Sequence, residues 1–132
     1  MSHVIRQSVN LKASPEELFD TFLDSKKHSA ATGAPARISL KAGGSFTAFQ
    51  GALKGKNLLI VPRRLIVQAW RATHWKSKDP DSILILEFSK APGGGRIDLV
   101  HVNVPLYDRK GVTQGWPNYY WKPWKAYLAK KK

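Results

Sequence analysis

The chain closes on GWPNYYWKPWKAYLAKKK, residues 115 to 132, a stretch holding six of its fourteen Phe, Trp and Tyr residues and five of its lysines. Two structures could use it: a solvent-facing strip on which nucleic acid bases stack, or a helix with one aromatic side buried. Spacing separates them. Trp116, Tyr120, Trp124, Tyr127 and Leu128 fall at i, i+4, i+8, i+11 and i+12, one face of a 3.6-residue helix, while Lys122 and Lys125 lie largely off it. A stacking strip has no reason to keep its rings at helical period. The stretch is therefore predicted to be a core helix of about four turns, starting at Gly115-Trp116-Pro117 and kinked at Pro123, which removes a backbone donor.

Such a helix needs a sheet beneath it, and the preceding residues supply one. Val4 to Leu11 alternates as a strand, with Ile5, Val9 and Leu11 on one side. Ser14-Pro15-Glu16-Glu17 then opens a helix: serine caps, proline suits the first helical position, and Glu17 can complete a capping box. Leu18, Phe19, Phe22 and Leu23 carry it to about Asp24, and Lys26 to Ala31 forms a short second helix ended by Thr32-Gly33. From there the period becomes two. Strands are predicted over Ala36 to Leu40, Ser45 to Gln50, Leu53 to Val61, Arg64 to Thr73, Ser82 to Lys90 and Arg96 to Val104, separated by short turns such as Gly43-Gly44, Gly51-Ala52 and Gly93-Gly94-Gly95. Consecutive strands with short turns make an antiparallel meander. Pro105 to Val112 reads as the longest loop.

Length and composition bound the rest. A chain of 132 residues, 42% hydrophobic, suits a single domain over 1–132. With no cysteine there is neither a disulfide nor a thiolate site. The N-terminus lacks a signal-peptide core, and the longest apolar run, Leu58 to Val61, is far too short to span a bilayer, so a cytoplasmic protein with no membrane insertion is expected. The net charge is +13, and no Asp or Glu occurs from Ser25 to Lys78. That field attracts anionic partners without specifying one. With no reader motif present, nucleic acid is expected to bind only unspecifically, through charge.

Several stretches carry a family resemblance: SPEELF at Ser14 to Phe19, GGSF at Gly43 to Phe46, VPRRLIVQAWR at Val61 to Arg71, the strand ending Leu99-Val100-His101, and Gly115-Trp116 followed by Tyr119-Tyr120-Trp121. Together they resemble an SRPBCC (START-like, helix-grip) domain of the AHSA1-like type, the activator of heat-shock protein 90 ATPase homologues, over nearly the whole chain. The resemblance implies an α+β fold in which a curved antiparallel sheet of about seven strands, with two short helices after the first strand, wraps a long C-terminal helix. It also implies either of two activities. Superfamily members bind lipids, sterols, polyketides or hormones in a cavity under the helix, and the related C-terminal domain of eukaryotic activators serves a chaperone. Those activators have a separate N-terminal domain providing the principal grip, so little or no ATPase stimulation is expected from this chain alone.

The candidates for lining a cavity are Phe46, Phe49, Trp70, Trp75, Leu84, Leu86, Phe88, Trp116, Tyr120 and Trp124, all of which could equally be core. His101 shares the parity of Ile97 and Leu99; it reads first as a core histidine and second as a polar anchor. Arg64, Arg71, Lys122 and Lys125 are expected to frame the mouth and favour an amphiphilic anion, such as a fatty or aromatic acid. No catalytic residue is assigned: His3, His28, His74 and His101 are scattered, Ser77, Ser82 and Ser89 have no evident base, and no metal or cofactor motif is present. The partners expected are a hydrophobic or amphiphilic small molecule or, alternatively, a chaperone or other acidic protein.

Overall fold

In a computed structural model of the chain, which describes residues 4–130, the first local signal works as its chemistry dictates. Ser14 Oγ accepts from Glu17 N at 3.1 Å, and Pro15 occupies the first turn of α1, Pro15–Leu23. Asp24 ends that helix and caps the next, accepting from Lys27 N at 2.9 Å at the start of α2, Ser25–Thr32. Gly33 closes α2 in the left-handed region at φ 82°.

The strands are β1 Val4–Leu11, β2 Ala36–Ile38, β3 Ser45–Ala48, β4 Leu53–Val61, β5 Leu65–Ala72, β6 Ser82–Ala91 and β7 Gly94–Val102. They form one antiparallel sheet in the order β1-β7-β6-β5-β4-β3-β2. The α1–α2 pair thus carries the chain from one edge strand to the other, and the meander returns to pair with β1. Register builds the inner face directly: Ile5 and Leu84 flank His101, Leu86 lies opposite Leu99, Phe88 opposite Ile97, and Trp70 opposite Ser82. Every residue named there is buried. Gly55, paired with Trp70, has no room for a side chain, since a Cβ would lie 1.8 Å from Ala69 O and 2.7 Å from the Phe46 ring.

Three expectations about the closing segment are corrected. Pro105 to Val112 is not a loop: α3 runs Leu106–Gly115 with Pro105 at its N-cap. The helix then continues through a π segment, Trp116–Trp121, into α4, Lys122–Lys130, so it spans about seven turns rather than four. Gly111, Thr113 and Gly115 are poor helix formers that hide α3 from a propensity reading. Tertiary bonds hold it instead. Pro117 has no N–H to give to Thr113 O four residues back, and that carbonyl accepts from Gln7 Nε2 on β1 at 2.8 Å. The disturbance expected at Pro123 appears one turn earlier, as the π segment, where Lys122 N–H bonds to Pro117 O five residues back.

The third strand also stops early. Phe49, Gln50 and Gly51 are successive left-handed residues with φ of 53°, 57° and 88°, so the chain turns after Ala48 instead of continuing to Gln50. The second strand ends at Ile38, short of the expected Leu40. No helix among the described residues is long and apolar enough to cross a membrane.

Candidate functional site

Between the β4–β5 end of the sheet and the closing helix lies a cavity of about 430 Å³. Small residues make it. Gly111 and Gly115 stand one helical turn apart on α3, and Ala52 and Ala72 face the space from the sheet side. Its walls are aromatic: Trp70 from β5, Phe49 from the left-handed turn, and Trp116, Tyr119 and Tyr120 from the π segment, with Leu53 and Val112 completing the apolar surface. Ring centroids lie 4.7 Å apart for Trp116 and Tyr120, 6.1 Å for Trp70 and Trp116, and 5.7 Å for Phe49 and Tyr120. Phe49, a non-glycine residue at positive φ, is a locally strained conformation on this wall.

Two buried histidines hold these rings. His101 Nδ1 accepts from Trp116 Nε1–H at 3.2 Å, which leaves its proton on Nε2; that N–H donates to Ser82 Oγ at 2.8 Å, and Ser82 in turn donates to Trp70 O at 2.6 Å. The chain of bonds fixes the Trp116 ring and the Trp70 backbone, and the Trp70 ring meets the His101 imidazole edge-on at 4.6 Å between centroids. His28 donates from Nδ1 to Phe22 O at 2.8 Å, and its Nε2 accepts from the Tyr120 hydroxyl at 3.0 Å. Burial pulls His101 from 6.5 to about 3 and His28 to about 4, the Phe22 hydrogen bond opposing the latter shift only in part. Burial also pushes the Tyr120 phenol up. Both imidazoles are therefore neutral struts.

Ser82, read from sequence as lacking a base, thus sits beside a histidine. The pair is still no nucleophile and base: the histidine nitrogen facing Ser82 carries a proton, and Ser82 is fully buried. Among the described residues no group of three His, Cys, Asp or Glu could hold a metal ion. His3 lies outside the described residues.

The rim is polar on one side. Asp108 Oδ2 accepts from Trp75 Nε1–H at 2.7 Å and faces His74 Nε2 at 3.1 Å. Tyr107 reinforces this end of α3, donating to Asp79 and accepting from Lys76 N at 3.1 Å. His74 and Tyr119 are more than half exposed, 65% and 61%, and mark the opening.

Of the residues anticipated for the cavity, Phe49, Trp70, Trp116 and Tyr120 line it. Phe46, Trp75, Leu84, Leu86, Phe88 and Trp124 are buried in the core outside its lining, and His101 stands behind the wall. Arg64, Arg71, Lys122 and Lys125, expected to frame the mouth, are not among the lining residues. Arg71 is instead committed to Asp81 Oδ1 and the Asp79 and Lys76 carbonyls, each at 2.9 Å. Sequence reasoning missed Asp108, His74, His28 and the glycine pair. The i, i+4 spacing of Gly111 and Gly115 was the available signal, obscured once the segment was read as a loop.

A curved antiparallel sheet closed by one long helix over an apolar cavity defines the helix-grip class of α+β proteins. Within it, this chain belongs to the family described as Activator of Hsp90 ATPase homolog 1-like protein, whose model matches residues 12–129. Similar curated proteins include the Activator of 90 kDa heat shock protein ATPase homolog 1 of Homo sapiens, 29% identical over 109 residues, which are 83% of this chain and 32% of that one. The corresponding homolog of Dictyostelium discoideum is 27% identical over 106 residues, 80% of this chain and 27% of its own length. The chain thus spans about a third of the human relative and less of the Dictyostelium one. Among solved structures, an HSP90 activator from Plasmodium falciparum superposes with a TM-score of 0.83 at 26% identity, covering 98% of this chain and 96% of that one.

Proposed function

We propose that the chain is an interaction domain of the co-chaperone type, docking on a chaperone of the heat-shock protein 90 class. The observation that carries this reading is the end-to-end match to a solved chain of similar length described as an HSP90 activator. The charge pattern supports an acidic partner. Register aligns Arg37, Thr47, Lys54 and Arg71 across β2, β3, β4 and β5 on the outer face of the sheet, with Lys56 two residues along. Arg37, Lys54 and Lys56 are exposed. Such a row steers association and sets its salt dependence.

Titrating the protein into a purified chaperone of this class, with complex formation and ATPase rate followed together, tests the reading. Binding is expected to weaken with salt and in the Arg37→Glu/Lys54→Glu/Lys56→Glu variant. Stimulation by the isolated 132 residues is expected to be weak, since whatever the remainder of the longer relatives contributes is not tethered to them. No binding at about 100 μM in low salt, a free energy near 5.5 kcal/mol, overturns the proposal. A second reading rests on the cavity: its size and apolar walls fit a hydrophobic or amphiphilic small molecule with its apolar body under the closing helix.

A further inference from the structure

We propose that the cavity selects ligands by a hydrogen-bond-donating head group held at Asp108, taking arylalkyl amines or alcohols in preference to carboxylic acids. This inference rests on the second reading above and assigns its ligand class. The protein carries a net charge of +13, yet no lysine or arginine is among the residues lining the cavity. Asp108 is its only carboxylate and His74 its only imidazole, and Asp108 is held in the wall by Trp75. Trp75 Nε1–H and His74 both address Asp108 Oδ2. Oδ1 accepts no hydrogen bond among the described residues and lies 3.0 Å from where a Cβ on Gly111 would sit, so bare backbone leaves this oxygen approachable from the cavity. Ring faces along the wall add attraction for a cationic head and for a flat aromatic body. A carboxylate in the same place would meet Asp108 as a like charge with no lysine or arginine in the wall to offset it, and the one imidazole there, His74, is already turned to Asp108 Oδ2. The local sign at the site is thus opposite to that of the molecule as a whole.

The test uses three probes with one body: 2-naphthylmethylamine, 2-naphthylmethanol and 2-naphthoic acid, titrated calorimetrically into the full chain. The amine and the alcohol are expected to bind at least about tenfold more tightly than the acid, the worth of one charge-assisted hydrogen bond. Asp108→Asn keeps an acceptor for Trp75 and is expected to erase most of the amine's advantage. Gly115→Leu fills the space where a Cβ would meet only the Tyr119 ring, at 3.5 Å, and is expected to abolish binding of all three while leaving the melting temperature unchanged or raised. Acid binding as tight as the amine, or a preference that survives Asp108→Asn, overturns the selectivity while leaving the cavity reading in place. Absence of binding by every probe, or binding undiminished in a folded Gly115→Leu variant, overturns both.

Discussion

Substitution of Trp124 probes the packed face of the closing helix in two separable ways. The indole has no solvent exposure, 0%, and its ring centroid lies 6.3 Å from Phe22, 6.2 Å from Tyr120 and 6.0 Å from Trp121. Truncating such a ring to alanine costs about 3–5 kcal/mol. Its Nε1–H, however, finds no hydrogen-bond partner among the described residues, and an orphaned buried donor costs about 1–3 kcal/mol. Trp124→Phe removes that donor along with about three ring atoms, a packing loss near 2 kcal/mol at roughly 0.8 kcal/mol per methylene. The two terms nearly cancel, so the phenylalanine variant is expected within about 1 kcal/mol of the parent. Urea unfolding at neutral pH, followed by circular dichroism, measures both variants on one scale. If Trp124→Phe proves as costly as Trp124→Ala, the Nε1–H is making an interaction that stabilises the fold, and the orphan argument is refuted.

Two further outcomes follow from buried groups elsewhere. His28 and His101 titrate near 4 and 3 when folded but near 6.5 when unfolded, so unfolding takes up protons below about pH 6.5. Their contribution to stability is intact above that value and falls as the pH drops, by about 1.4 kcal/mol per pH unit for each imidazole; urea unfolding at pH 7.5 and 5.5 should differ by about 2–3 kcal/mol, and equal stabilities would sink the claim. Gly55→Ala drives a Cβ into Ala69 O and the Phe46 ring, and a loss of at least about 2 kcal/mol is expected from the shift in unfolding midpoint; a neutral result would mean β4 and β5 can part at that pair without cost.

Strand parity was legible residue by residue. Ile5, Leu84, Leu86, Phe88, Ile97, Leu99 and His101 all face inward because alternation is a backbone property that tertiary contacts reinforce. The helix face of Trp116, Tyr120, Trp124 and Leu128 was legible for the same reason at a different period. The start of the closing helix was not, because Gly111, Thr113 and Gly115 disfavour helix and the bonds that hold it, from Gln7 and Trp75, come from distant residues. Trp121 went unassigned although it stands at i, i+3, i+7 with Trp124 and Leu128; it is buried to 5% exposure, with Nε1–H donating to Gln7 Oε1 at 3.0 Å. At the site, aromatic residues announced themselves by type, but a cavity is defined by side chains that are missing. Composition likewise reports the charge of the whole surface and not the sign at one mouth.

The π segment makes the closing helix two rods joined out of phase. Its bonds close over five residues instead of four, so over its length it falls behind an α-helix by about one residue, or about 100° of rotation. A heptad frame carried from α3 into α4 would therefore land on the wrong side chains, and removing one residue such as exposed Asn118 would swing Val112 and Trp116 around the axis while α4 kept its seat. Because Trp116, Tyr119 and Tyr120 all sit within that segment, the pitch of a single stretch of backbone sets the shape of the cavity wall. Sliding the wide turn along the helix would resize the space without breaking a single rung of the sheet.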